Sequence, residues 1–233
     1  MDTLLEAVQQ AIRLVTTFDP AVVEIARLSL EVTLTALLVS AVLGIPLGAW
    51  LALTPFRGRR ILTALIYTGM GLPPVLVGLI VYLFLSRSGP FGSLGWLFSF
   101  QAMVVAQTII ATPLILGVTM SSVLAIPHEL RLQLQSLGAT HWQTTLAVLW
   151  EARLGVIVGL VAGFGSIISE VGAVMLVGGN IDGRTRVLTT AIVLETRQGH
   201  FDVALALGII LLALSFVSNF ALVLLQHRTG APS

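Results

Sequence analysis

Long apolar runs alternate with short polar segments along the whole chain. Val32 to Phe56, Ile61 to Ser86, Gln101 to Ile126 and Val203 to Gln226 carry no charge, and a fourth apolar run in chain order follows Arg153. A hydrocarbon core of about 30 Å needs roughly 20 such residues in a helix. The pattern therefore predicts membrane spans at about 22–54, 61–86, 101–126, 154–179 and 203–226. The first begins near Val22, with Glu24, Arg27 and Glu31 at or above the interface. Ahead of it, Leu4, Val8, Ala11 and Val15 recur at helical spacing within Asp2–Thr17. That segment is an amphipathic helix, lying along the membrane interface or packed on the bundle. The expected fold is all-α: a single polytopic domain over residues 1–233, with five transmembrane helices and an N-terminal amphipathic helix.

The runs are not uniform inside. Gly44 and Gly48 stand four apart, as do Gly155, Gly159 and Gly163; small residues at that spacing let helices approach closely in lipid. Pro46 is a kink site. Pro73-Pro74 removes two backbone donors in the middle of the second run. Such a break fits a kinked helix lining a pathway, with Pro73, Pro74 and Val75 on it; an ordinary packing kink is the other reading. Glu170 follows Ser166 and Ser169 in the fourth run. An acid at membrane depth is costly and faces protein or water. Capping backbone donors, pairing with Arg, relaying protons, or sitting in an outer vestibule after the span ends near Ser166 are its open roles. Ser169 and Glu170 join the pathway candidates. Ile181–Asp202 reads as a polar loop.

One polar stretch differs from the other connectors. Pro127–Arg153 begins at a helix-stopping proline and breaks again at Gly138. A polar helix-turn-helix between two spans suggests a surface that another protein grips.

Composition confirms the class and narrows the chemistry. Of 233 residues 56% are hydrophobic and 10% charged, far too little charge to cover a soluble domain of this size. Cysteine is absent, which excludes disulfide and thiol chemistry. All twelve basic residues are Arg. No Walker A pattern is present, so the standard P-loop chemistry cannot reside here. A membrane-embedded enzyme would need clustered His, Asp or Glu within the spans, and only Glu170 lies there. With the N-terminus outside, six Arg fall on each side, and the short Arg57, Arg59, Arg60 cluster against two spans favours N-terminus outside and C-terminus inside.

The central stretch then supports a family. Ser136-Leu137-Gly138-Ala139-Thr140-His141-Trp142-Gln143-Thr144, followed by Leu146–Trp150, resembles the cytoplasmic loop of ABC importer permeases. Leu132-Gln133-Leu134 stands where the family has Glu-Ala-Ala, with Glu129 nearby, and Trp150-Glu151 where it has Leu-Pro. Gly71–Leu79, with its Leu-Pro-Pro, resembles the second-span signature of molybdate, sulfate and tungstate permeases. Ile168–Met175, Val177–Ile181 and Arg186–Thr196 resemble the tungstate branch.

This resemblance implies a type I importer permease in the inner membrane. It implies a homodimer with a pathway along its axis, two ATP-binding subunits on the cytoplasmic side, and an extracytoplasmic binding protein delivering an oxyanion. No cofactor is expected in this chain; ATP and Mg2+ belong to the partner subunit. Leu137, Gly138, Ala139, Thr140, His141 and Trp142 are the expected coupling residues, within a cytoplasmic loop at 127–153. For His141 and Trp142 a headgroup-level position is the other reading. Arg184 and Arg186 are candidates for contact with the anion or the binding protein, because guanidinium offers forked donors to oxyanions; solvated loop charges are the alternative. Tungstate is the favoured cargo, with molybdate or sulfate next. A stand-alone channel or secondary transporter is the competing class, and it would not need the 127–153 loop.

Overall fold

The computed structural model describes residues 2–228, and the side chains of residues 6–226. Among the described residues the secondary structure is helical, without strands. The elements are α1 (Asp2–Thr16), α2 (Pro20–Leu53), α3 (Arg59–Met70), α4 (Pro74–Leu85), α5 (Phe100–Leu124), α6 (His128–Ser136), α7 (His141–Glu151), α8 (Arg153–Ile168), α9 (Gly172–Gly178), α10 (Leu188–Gln198) and α11 (Phe201–Arg228).

Helix α5 is the axis of the bundle. It packs against α2 on one side and α8 on the other. Both glycine ladders face it: a Cβ on Gly44 would lie 3.1 Å from Ile115 Cγ2, and one on Gly163 would lie 3.1 Å from Ile115 Cγ1. Without aqueous hydrophobic drive inside a bilayer, close van der Waals approach of this kind is what holds helices together. Polar links add to it. Thr112 Oγ1 donates to Ser40 Oγ at 3.2 Å, and Gln107 Nε2 donates to Ile167 O at 3.0 Å.

Helices α2, α5 and α11 are each long and apolar enough to cross a membrane, and their bounds fall within about two residues of those expected. The N-terminal amphipathic helix is present as α1; it buries Ala11 and packs against α11. Three other segments are more finely divided than uninterrupted runs and loops. The run at 61–86 is two helices, α3 and α4, bent by 100° at Gly71–Pro73. Pro73 and Pro74 bring no amide hydrogens, and Pro74 occupies the first turn of α4, where a missing donor costs least. The run at 154–179 is likewise broken, with Ser169–Val171 separating α8 from α9, because Glu170 and Thr189 supply partners for the backbone there. Within Ile181–Asp202, expected as loop, lies α10, whose Leu188, Thr189, Thr190 and Ala191 are buried. Its polar surface residues mask a first turn anchored by Leu188 N donating to Ser29 Oγ of α2 at 2.7 Å.

Candidate functional site

The hairpin α6–α7 is built by two local signals. Gly138 has φ +85°, a left-handed conformation that glycine adopts without Cβ strain. Ala139 N donates to Leu134 O and Gly138 N to Gln135 O, both at 3.0 Å, the paired closure of a Schellman motif. One residue later Thr140 opens α7 with a capping box: Gln143 N donates to Thr140 Oγ1 at 3.3 Å, and Thr140 N donates to Gln143 Oε1 at 2.8 Å. Stop and start signals two residues apart make a rigid corner.

That corner is bare. Leu137 is 84% exposed and Trp142 70% exposed. His141 and Thr140 are also exposed, and Ala139 is half-buried. Along α7, Trp142, Leu146 and Trp150 recur every four residues as an exposed apolar stripe, while Thr144 and Val148 are buried behind it. Arg153 stacks over Trp150, 5.2 Å from the ring centroid. All six expected coupling residues thus lie on one short turn and the first turn of α7.

Two arginines tie this end together. Arg131 of α6 donates to Val123 O at 3.3 Å, and Arg59 donates to Ala52 O at 3.2 Å. Each cation therefore meets a carbonyl in the last turn of a long helix, where the helix dipole favours positive charge. Burial, and after it the Arg59 charge, lowers the Arg131 pKa from its usual value. Neither role was visible in the sequence, where both residues read only as loop charges.

The two helix breaks face one another. A Cβ on Gly172 would lie 2.5 Å from Val75 Cγ2, and one on Gly78 would lie 2.6 Å from Ala173 Cα. Val75 of α4 therefore lies against Gly172, whose added Cβ would also come within 3.5 Å of Glu170 Oε1; Pro73 and Pro74 precede Val75 at one break, and Ser169 precedes Glu170 at the other. Side chains satisfy several of the backbone groups at the α8–α9 break. Glu170 Oε1 accepts from Ala173 N at 3.0 Å, Thr189 Oγ1 donates to Glu170 O at 2.7 Å, and Gln107 holds Ile167 O. Ser169 Oγ donates to Gly165 O at 2.7 Å. Gln107 and Thr189 were missed as positioning residues; their signal, a long-range partner, exists only in three dimensions.

Replacing Glu170 by Ala is expected to lower stability by about 1–2 kcal/mol, as for loss of a helix cap. Glu170→Gln, which keeps an acceptor oxygen, is expected to restore both stability and transport. Thermal unfolding and uptake of the two variants check this. A Gln variant that is stable but inactive would assign the carboxylate itself to transport.

At the opposite end, Arg184 and Arg186 do not converge. Arg184 is exposed on the turn after α9. Arg186 Nη1 pairs with Asp182 Oδ1 at 2.9 Å. It lines a cavity of ≈ 440 Å³ that also holds Asp19, Glu24, Arg27, Glu31, Asp182 and Glu195. The surroundings of Arg186 are acidic.

This arrangement of helices is that of known importer membrane subunits. The fold matches the crystal structure of a bacterial alginate ABC transporter in complex with an alginate pentasaccharide-bound periplasmic protein, with TM-score 0.75 and 20% identity, covering 100% of this chain and 90% of that one. The chain belongs to the family of binding-protein-dependent transport system inner membrane components, which it matches over residues 44–231. It is a multi-pass membrane transport subunit rather than an enzyme. Among its relatives is the tungstate uptake system permease protein of Peptoclostridium acidaminophilum, 38% identical over 228 residues, 98% of this chain and 100% of that one. A probable anion ABC transporter permease protein of Haloferax volcanii is 45% identical over 197 residues, 82% of this chain and 85% of that one.

Proposed function

We propose that this chain is the membrane subunit of a tungstate importer. Two copies pair around a central pathway, two ATP-binding subunits dock on the α6–α7 corner, and a binding protein delivers the oxyanion at the opposite end. The observation that carries the cargo is the end-to-end relationship to a tungstate permease, 38% identical over 98% of the chain. In this reading 127–153 is cytoplasmic, the N-terminus lies outside and the C-terminus inside. ATP and Mg2+ act in the partner; the rigid corner passes its closure to α5 and α8 as rigid-body rocking. Affinity can reside in the binding protein, so the permease needs no tight anion site. The acidic cavity around Arg186 suits that division, since it favours basic groups of a docking protein over the anion itself.

The test is uptake of labelled tungstate by cells with and without the gene, with molybdate or sulfate in competition. Loss of uptake on deletion, with weak competition, is the expected result. Equal competition by molybdate would widen the cargo. Unchanged uptake in a strain without another tungstate transporter would overturn the assignment.

A further inference from the structure

The loop between α2 and α3 concentrates positive charge without a counter-ion. Arg57, Arg59 and Arg60 fall within four residues, and Arg131 is close enough for the Arg59 charge to act on it. Among the described residues none of these four guanidiniums has a carboxylate within ion-pair distance. Arg59 and Arg131 are partly engaged by backbone carbonyls. Arg57 and Arg60 are exposed, and Arg131 Nε is buried with no partner. Unpaired like charges held side by side repel, and an anion between them would relieve this.

The surroundings say which kind of anion. Two grooves flank Arg59 and Arg60. One, of ≈ 490 Å³, runs along Pro55, Phe56, Gly58 and Ile61. The other, of ≈ 400 Å³, is lined by Thr63, Tyr67, Met120 and Leu124. Ile61 is 70% exposed and Leu65 62% exposed on the same helix. Both grooves have largely apolar walls with the arginines at their shared edge, which matches a molecule with one anionic head and apolar tails. The grooves run on into the exposed Ile61 and Leu65 face of α3, which in a membrane subunit adjoins lipid, and this favours a lipid over a protein segment.

We propose that Arg57, Arg60 and Arg131, with the two grooves beside Arg59, form a binding site for an anionic phospholipid, its phosphate diester on the guanidiniums and its acyl chains in the grooves. Guanidinium forks suit phosphate oxygens, and basic pockets between helices at the cytoplasmic face take up acidic headgroups. The lipid would bridge the end of α2, the start of α3, the end of α5 and α6, fixing the joint through which the α6–α7 corner moves the bundle. The inference rests on the proposed function only for the side of the membrane.

The experiment titrates the purified full-length protein in detergent with phosphatidylglycerol, with phosphatidylcholine of the same acyl chains, and with inorganic phosphate, reading thermal unfolding. Phosphatidylglycerol is expected to raise the midpoint by about 5 °C or more near saturation, and phosphatidylcholine and phosphate to leave it unchanged. Arg57→Gln/Arg60→Gln is expected to abolish the shift while keeping the lipid-free midpoint. Arg57→Lys/Arg60→Lys, retaining charge, is expected to keep most of it. Equal shifts with phosphatidylcholine would overturn the headgroup site. A full shift with phosphate alone would make it a free-anion site. Intact lipid response in the Gln variant, with loss of ATP-binding-subunit capture, would make it a protein contact. The readout is blind to cargo and sidedness, so failure of the tungstate reading would leave it standing.

Discussion

Gly48→Ala is expected to disrupt the bundle. The new methyl would sit 2.7 Å from Leu116 O, 3.0 Å from Thr119 Cβ and 3.2 Å from Met120 N. Two of those three atoms are backbone of α5, which cannot rotate out of the way as a side chain does. Relief requires α2 and α5 to move apart, and that strains the Ser40–Thr112 and Ser40–Thr108 hydrogen bonds along the same seam. Overpacking of this kind costs about 1–3 kcal/mol in well-packed cores and more where backbone is the obstacle. The expected loss is about 3 kcal/mol or more, seen as a lower unfolding midpoint and a smaller yield of folded protein. Gly208→Ala in α11 is the matched control. Nothing lies within 4 Å of its added Cβ, and Ala is favoured over Gly inside a helix by about 1 kcal/mol. Equal effects at both positions would show that close approach of α2 and α5 is not what Gly48 provides.

Trp142→Ala and Leu137→Asp are expected to uncouple the subunit without unfolding it. Both side chains are exposed, at 70% and 84%, so their loss removes little from the fold; surface changes usually stay within about 0.5 kcal/mol. At a docked interface a tryptophan anchor is worth about 2 kcal/mol or more, roughly a thirtyfold change in affinity. Capture of the ATP-binding subunit by the purified permease is therefore expected to fall about thirtyfold, with uptake falling in parallel and the unfolding midpoint unchanged. Intact capture with altered membrane association would assign the Trp142–Leu146–Trp150 stripe to the lipid headgroup region instead, the depth that tryptophan also favours.

The long helices were legible because their signal is local: α2 and α5 are uninterrupted apolar runs that lipid demands as helix. The breaks were half legible. Pro73-Pro74 marked the first, but a proline pair indicates a kink and not its angle; at the 100° turn α3 lies against α5 and α4 against α9, contacts that exist only in three dimensions. Glu170 marked the second, yet the residues that sustain it, Gln107 and Thr189, lie 63 and 19 positions away. Helix α10 was hidden because its polar residues, Glu195 and Arg197 among them, follow a short buried first turn, and hydropathy averages the two. At the coupling corner the turn was evident from Gly138, whereas the capping role of Thr140 and the Trp stripe became visible only once α7 was known to start at His141 and to bury Val148 rather than Trp150.

The broken helices also bear on how the chain enters the membrane during synthesis. Helix α4 has 12 residues, about 18 Å of rise, and cannot cross a hydrocarbon core of about 30 Å alone. Its partner α9 emerges from the ribosome roughly 100 residues later. Until then the face of α4 that carries Val75 and Gly78 lacks the helix it packs against, while α5 is already present to cover the other side of the α3–α4 turn. The packing of α4 is therefore completed only once translation has passed residue 178, the end of α9. Enlarging Ala173, which meets Gly78 at backbone distance, is accordingly expected to surface as a lower yield of assembled protein.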